Sequence, residues 1–210
     1  MLINFDFDGV IADTFDRLFA LSVAAQRRVA QGRPPVEEDF QTLENLTFEG
    51  LADRLRIPSE LVPQFLQITF QLQQEEQGAI RFFPGMVSLL KTLSQGSEIA
   101  IITSSSADLV RGYLIQHGVL DSVDSIYGSE SGRSKKESIL ANMEQFSASP
   151  EQTCMIGDAV SDIRQGKAAG VLTIGVGWGF QSSELLLRET PDYLALTPNE
   201  LLEILKELGD

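Results

Sequence analysis

Positive charge is scarce in this sequence. Its 210 residues carry 16 Lys and Arg against 30 Asp and Glu, a formal net charge of −14. That field repels a nucleic-acid backbone and sets this partner class aside. An anionic small substrate would need local cationic help, from a metal ion or from a few placed basic side chains. Cysteine is nearly absent too. Cys154 is the only one, so no internal disulfide can form. It lies in the strand-like run Thr153-Cys154-Met155-Ile156 and reads as a small buried hydrophobe, with a reducing cytoplasm as the expected setting. No uninterrupted apolar stretch approaches membrane-spanning length. The N-terminus has no basic region and meets Asp6 too early for a signal peptide. Lysine is missing altogether from residues 1–90, which later excludes one chemistry.

What is present is a globular composition, 43% apolar and 22% charged, enough to bury one core plus a sizeable insertion. Leu2 to Phe5 is a short apolar strand. Phe15, Leu18, Ala25 and Val29 then recur at helical spacing until Gly32, Pro34 and Pro35. One or two helices are expected over 36–57. Another follows, capped by Ser59, with Leu61, Phe65, Ile68 and Leu72 as its stripe and Gly78 as its end. Residues 15–80 thus read as all-helical, with the glutamines from Gln64 to Gln77 on a wet face. From Phe82 the pattern alternates. Met86, Leu89, Leu90 and Leu93 mark a helix. Ile99-Ala100-Ile101-Ile102 is apolar on both faces, as a central parallel strand should be. Leu109, Val110, Tyr113 and Leu114 form the next helix, Val123 to Tyr127 a weak strand, and Ile139, Leu140, Met143 and Phe146 a further helix. Thr153 to Ile156 and Val171 to Val176 are strands around a short helix, and Leu201, Ile204, Leu205 and Leu208 close the chain as an amphipathic helix. Strands alternating with helices predict an α/β fold with a doubly wound, Rossmann-like parallel sheet. The expected core is 1–14 plus 81–210, with 15–80 as a helical insertion after the first strand.

In such a sheet, ligands bind outside the carboxyl ends of the strands. Asp6 and Asp8 follow the first strand, at a spacing that points both side chains the same way. Two carboxylates there resist ionising unless a cation lies between them or one holds a proton. Thr103, Ser104, Ser105 and Ser106 follow the Ile99 strand. Gly132-Arg133-Ser134-Lys135-Lys136 lies past the Val123 strand, and Gly157-Asp158-Ala159-Val160-Ser161-Asp162 past the Thr153 strand. Carboxylates, hydroxyls and an ammonium therefore converge on one edge. Ser105 or Ser106 is expected to cap the following helix, and Asp13 to cap the helix after it. His117 receives no catalytic role. Trp178 and Phe180 read as packing, and the Gly175, Gly177 and Gly179 alternation lacks the strand–loop–helix context of a dinucleotide loop.

Asp6-Phe7-Asp8-Gly9-Val10-Ile11-Ala12-Asp13-Thr14, the Thr after Ile101-Ile102, a lysine opening a helix, and Gly157-Asp158-Ala159-Val160-Ser161-Asp162 resemble the four ordered motifs of the haloacid dehalogenase superfamily. Gly166, Ala169-Gly170-Val171-Leu172-Thr173-Ile174-Gly175-Val176 and Pro191-Asp192-Tyr193 are similar to its phosphoglycolate-phosphatase-like members. The resemblance implies a phosphatase that forms an aspartyl phosphate. Asp6 would be the nucleophile. Asp8 would protonate the leaving oxygen and later deprotonate the attacking water. Mg²⁺ would be held by Asp6, the backbone carbonyl of Asp8, and Asp158, and would keep the nucleophile ionised. Asp162 would be a supporting acid or an alternate ligand. The Thr103 hydroxyl and the Ser104 backbone N–H would hold phosphate oxygens, and the third-motif lysine would neutralise charge. Helical periodicity favours Lys136 for that lysine over Lys135, because Lys136 keeps Ile139, Leu140 and Met143 in the family's apolar register. The usual Lys-Pro-x-Pro form is absent. The insertion resembles the family's cap, which would close over the site and choose the substrate. Arg17 is its nominated anion contact.

The expected activity is hydrolysis of a small phosphorylated metabolite, phosphoglycolate-like. A sugar phosphomutase of the same fold, or a binding protein that kept the fold, are the alternatives. Haloacid dehalogenation does not need the acid at Asp8. Phosphonoacetaldehyde hydrolysis needs a cap lysine, and residues 1–90 have none. Oligomeric state is left open.

Overall fold

A computed structural model describes residues 1–44, 46–75 and 80–209. The chain divides into two compact units, Met1–Asp13 with Ile80–Asp210, and Thr14–Ala79.

The first unit is built on β1 (Leu2–Phe5), whose four residues are all buried. The two-residue β2 (Ala12–Asp13) pairs antiparallel with β3 (Arg81–Phe82), where the chain leaves and re-enters this unit. Asp13 does not cap a helix. Its carboxylate faces Arg81 across this ribbon at 3.6 Å, and Thr14 takes the cap position of the next helix. There follow α5 (Met86–Leu93), β4 (Glu98–Ile102), α6 (Ala107–Gln116), β5 (Ser125–Tyr127), α7 (Lys135–Phe146), β6 (Thr153–Gly157), α8 (Val160–Ala169), β7 (Leu172–Val176), α9 (Ser183–Arg188), β8 (Tyr193–Ala195) and α10 (Pro198–Gly209).

The six-stranded sheet runs β5-β4-β1-β6-β7-β8, with every neighbouring pair parallel. The chain winds outward from β1 through β4 to β5, then returns to β1's other side at β6. The winding direction reverses between β1 and β6, and in sheets of this kind ligands bind outside the strand carboxyl ends at such a switch point. The α/β doubly wound sheet expected from the alternating pattern is what the chain adopts. Ile3, Phe5, Ile99, Ile101, Cys154, Ile156, Ile174 and Val176 fill the interior. Burial pushes the Cys154 thiol up to about 12, so it stays protonated and behaves as the small hydrophobe its setting implied.

A polar ladder crosses this core. Asn142 of α7 donates to Asn4 Oδ1 of β1 at 2.8 Å, Ser125 of β5 donates to Asn142 Oδ1 at 2.9 Å, and Asn4 donates to the Cys154 carbonyl at 3.1 Å. Buried amides left unbonded cost about 1–3 kcal/mol each, so this ladder selects one rotation of α7 over the others.

The second unit holds α1 (Phe15–Val29), α2 (Glu37–Thr42), α3 (Phe48–Arg54) and α4 (Val62–Glu75). Its own core includes Ala25, Val29, Phe40, Leu51, Leu55 and Phe65. Thr47 caps α3 by accepting from Gly50 N–H at 3.1 Å. Ser59 does not cap α4. It opens a single 3₁₀ turn before it, and its hydroxyl donates to Glu60 Oε2 at 3.4 Å. The inward face of α4 reads Phe65, Thr69 and Gln73, so the glutamine series is not wholly wet. Gly78 and Gln77 lie outside the described residues. Asp39 is buried and paired with Arg33, which holds its carboxyl below the usual carboxylate range, and it also accepts from Val36 N–H at 2.9 Å.

Candidate active site

The turn after β1 presents Asp6 and Asp8. Asp6 Oδ1 accepts from Phe7 N–H at 2.8 Å, and its Oδ2 lies 2.8 Å from Lys135 Nζ. Lys135 Nζ also donates to Asp162 Oδ1 at 2.5 Å. Lys136 is exposed, and its backbone N–H donates to Gln165 Oε1 at 3.1 Å. The register expected from apolar spacing is therefore wrong by one residue. The inward face of α7 is half-buried Lys135 with buried Ser138, Ile139 and Asn142, at i, i+3, i+4 and i+7 spacing, and Leu140 is exposed. Three of those inward positions are polar, with Asn142 satisfied by Asn4 and Ser125 and Lys135 by Asp6 and Asp162, so hydrophobic periodicity points to the neighbouring face.

Asp158 directly follows β6 and is fully buried, with its Oδ2 accepting from Phe180 N–H at 2.7 Å. Two glycines make this possible. A Cβ on Gly9, at φ +79°, would lie 2.1 Å from Asp158 Oδ2, and one on Gly179 would lie 2.2 Å from Asp158 Cβ. Gly179 and the Phe180 amide thus have a role that packing alone did not suggest. The only legible signal was a glycine following a strand-like run. Trp178 is half-buried and donates to the Val10 carbonyl at 3.1 Å.

Asp162 opens α8 and accepts from Ala159 N–H through Oδ2 at 3.0 Å while Oδ1 takes Lys135. Both of its oxygens are engaged, so it acts as the anchor for the lysine. Gly157 lets it approach, since a Cβ there would lie 2.2 Å from Asp162 Cβ.

Thr103 follows β4 and is buried. Its N–H donates to the Tyr127 carbonyl, and its Oγ1 accepts from Ser105 N–H, each at 3.0 Å. That leaves the Thr103 hydroxyl proton to serve a ligand oxygen. Ser104 is exposed at the same turn. Neither Ser105 nor Ser106 caps α6. Ser106 holds the cap position without a side-chain bond, and the Ser105 hydroxyl turns to Asp8 Oδ2 at 2.7 Å. The cap comes from the Glu130 carboxylate, which accepts from Ala107 N–H at 3.0 Å. Gly128 brings that loop in, because a Cβ there would lie 2.3 Å from Ala107 N. His117 is remote from this chemistry in its bonding. It stacks on Phe82 and pairs with the Ile80 carbonyl at 2.7 Å.

The electrostatics are unbalanced. Asp6, Asp158 and Asp162 each offer an oxygen within 4.8 Å of the others, against the ammonium of Lys135. Burial raises the Asp6 carboxyl to about 7, with Lys135 opposing and Asp162 and Asp8 adding. Burial also raises Asp158 well above its ordinary value, helped by the Asp6 and Asp162 charges. Burial works against the charge on Lys135, but Asp162 and Asp6 outweigh it and hold the ammonium above its ordinary value. Asp158 Oδ1 is buried with no hydrogen-bond partner among the described residues. A buried carboxylate oxygen without a donor, beside a second carboxylate, is the donor set a hard divalent cation satisfies. The residues present fit such an ion.

A model of the family described as haloacid dehalogenase-like hydrolase matches residues 3–176. The phosphoglycolate phosphatase of Synechococcus elongatus is 24% identical over 208 residues, spanning 98% of this chain and 97% of its own. That of Vibrio vulnificus is 29% identical over 218 residues, spanning 97% and 95%. The solved structure of a haloacid dehalogenase-like family hydrolase from Streptococcus pneumoniae covers 97% of each chain with a TM-score of 0.84 at 22% identity, a likeness of fold alone. A match over that span, on a sheet wound in this order, puts the chain in the haloacid dehalogenase-like hydrolase family.

Proposed function

We propose that this protein is a Mg²⁺-dependent phosphatase that hydrolyses a small, phosphoglycolate-like phosphomonoester through an aspartyl phosphate on Asp6. The observation that carries this reading is the buried carboxylate group in which Asp6 meets Lys135 while Asp158 Oδ1 lacks a partner. The names of the curated relatives support the substrate class.

Asp6, the Asp8 carbonyl and Asp158 would hold the metal ion. When bound, it supplies positive charge that keeps Asp6 ionised and stabilises the phosphoryl oxygens. Lys135 adds the second positive charge, aimed by Asp162. Thr103 Oγ1 donates to a phosphoryl oxygen, and the Ser104 N–H lies on the same turn for another. The Asp6 carboxylate attacks phosphorus as the bond to the leaving oxygen breaks, and Asp8 passes its proton to that oxygen. Asp8, now ionised, takes a proton from water as the water oxygen bonds to phosphorus and the bond to Asp6 breaks. Positioning and charge do most of the work, as phosphoryl transfer requires. Lys135, not Lys136, takes the lysine role in this reading.

The helical unit, placed in sequence between the first strand and the rest of the core, is read as the cap that selects substrate, with Arg17 as its nominated contact. No helix among the described residues is long and apolar enough to cross a membrane. The cytoplasm is the proposed compartment, where the lone thiol of Cys154 stays reduced.

The test is release of inorganic phosphate from a panel of phosphorylated metabolites, phosphoglycolate and both anomers of glucose 1-phosphate included. Activity should vanish when the metal is chelated and return with Mg²⁺. Turnover that ignores chelation would remove the metal from the account, and an isomeric phosphosugar as product would indicate a mutase.

A further inference from the structure

Ser105 has no role in the mechanism above, yet its side chain touches a reacting group. Its hydroxyl donates to Asp8 Oδ2 at 2.7 Å, and the residue is only 6% exposed. The backbone that carries it is held on several sides. Ser105 N–H donates to Thr103 Oγ1 at 3.0 Å, and the Ser105 carbonyl accepts from Ser129 N–H at 3.0 Å. One residue to either side of that turn, Thr103 N–H reaches the Tyr127 carbonyl and Ala107 N–H reaches the Glu130 carboxylate. The turn after β4 is thus fixed by the loop after β5, and the hydroxyl projects from rigid backbone.

The terminal torsion of an aspartate is broad and two-fold, so the plane of its carboxyl group is set by the partners of its oxygens, and for Asp8 the Ser105 hydroxyl is one of them. Proton delivery depends on that plane, because the acid must meet a lone pair of the leaving oxygen at hydrogen-bond distance.

We propose that Ser105 is a positioning residue for Asp8: by holding Oδ2 it fixes the carboxyl plane and sets how well Asp8 protonates the leaving oxygen. This rests on the phosphatase reading and adds a residue that the four motifs leave unassigned. In the first half-reaction the Asp6 oxygen–phosphorus bond forms, the phosphorus–leaving-oxygen bond breaks, and the Asp8 proton goes to the leaving oxygen. Ser105 exchanges nothing. It only orients.

Leaving-group dependence separates this role from a general loop tie. A dinitrophenolate departs without a proton, whereas an alkoxide must be protonated. The first irreversible step is the one kcat/KM reports. The reading is therefore the ratio of kcat/KM for an alkyl phosphate to kcat/KM for 2,4-dinitrophenyl phosphate, taken on the full-length Mg²⁺-loaded protein. Ser105→Ala should lower that ratio by roughly tenfold or more, a part of what general acid catalysis contributes. Ser105→Thr should restore it. In an Asp8→Asn background, Ser105→Ala should lower it no further, because both act through one proton. Should Ser105→Ala fail to fold, Ser105→Cys keeps the volume with a weaker donor and is read by the same ratio. An unchanged ratio, with both esters slowed alike or neither slowed, overturns the assignment alone. A wild-type protein that cleaves neither ester overturns the phosphatase reading and this assignment with it.

Discussion

Asp6→Asn should reduce turnover of any phosphomonoester by at least about four orders of magnitude, the scale on which loss of a covalent nucleophile is felt. An amide oxygen cannot attack phosphorus to give a stable phosphorylated product, and in the proposed mechanism Asp8 serves proton transfer and does not replace it. The same change should not harm the fold. Asn keeps the size of Asp and can still accept from Phe7 N–H, which bonds Asp6 Oδ1 at 2.8 Å. It also removes a charge that burial disfavours. The folded-state value of Asp6 is raised from 3.8 to about 7 by burial, against the pull of Lys135. A carboxyl raised on folding destabilises the native state once the unfolded chain ionises and the native group does not follow. The effect is absent below about pH 4, grows with pH, and is complete above about 7. In metal-free protein, the melting temperature of Asp6→Asn should therefore match wild type near pH 4 and exceed it increasingly towards neutrality. Equal melting curves at pH 7 would mean that Lys135 fully compensates Asp6. Retained phosphatase activity would remove Asp6 as nucleophile.

The second large effect is expected at Lys135. Lys135→Met keeps the aliphatic stem but removes the ammonium that lies 2.8 Å from Asp6 and 2.5 Å from Asp162. Loss of one preorganised charge at a developing anion costs on the order of a hundredfold to a thousandfold, so kcat/KM should fall by at least that. Two buried carboxylates also lose their shared partner, and breaking such a pair destabilises by about 3–5 kcal/mol. The loss should show as a lower urea midpoint at neutral pH. Lys136→Met, on the exposed side of the same helix turn, should leave both activity and midpoint near wild type. The opposite ranking of the two variants would overturn the placement of α7.

This contrast marks where the sequence was legible. β1, β4 and β6 are buried on both faces and read as apolar runs, so their ends, and with them Asp6, Thr103 and Asp158, are located by the sequence. β8 escaped notice because Tyr193 and Leu194 are not fully buried and only three residues pair at the sheet edge. The β2–β3 ribbon has two residues a side, too few for any periodicity. Apolar periodicity favours Lys136 over Lys135 because α7 buries Ser138 and Asn142, and a rule that counts only apolar residues turns such a helix by one position. Ser105 or Ser106 reads as a cap because hydroxyls usually serve helix ends locally. Here Glu130 caps α6 from 23 residues away, which frees the serine hydroxyl for Asp8. Local rules failed where a long-range polar contact replaced the local one.

The covalent intermediate admits a direct measurement. Wild-type protein turning over substrate with Mg²⁺ is quenched into borohydride, which reduces an acyl phosphate to an alcohol, and the modified peptide is mapped by mass spectrometry. Homoserine at position 6, appearing only when substrate is present, is the result expected. Modification at another carboxylate, or an unmodified Asp6 in protein that is releasing phosphate, would contradict the account.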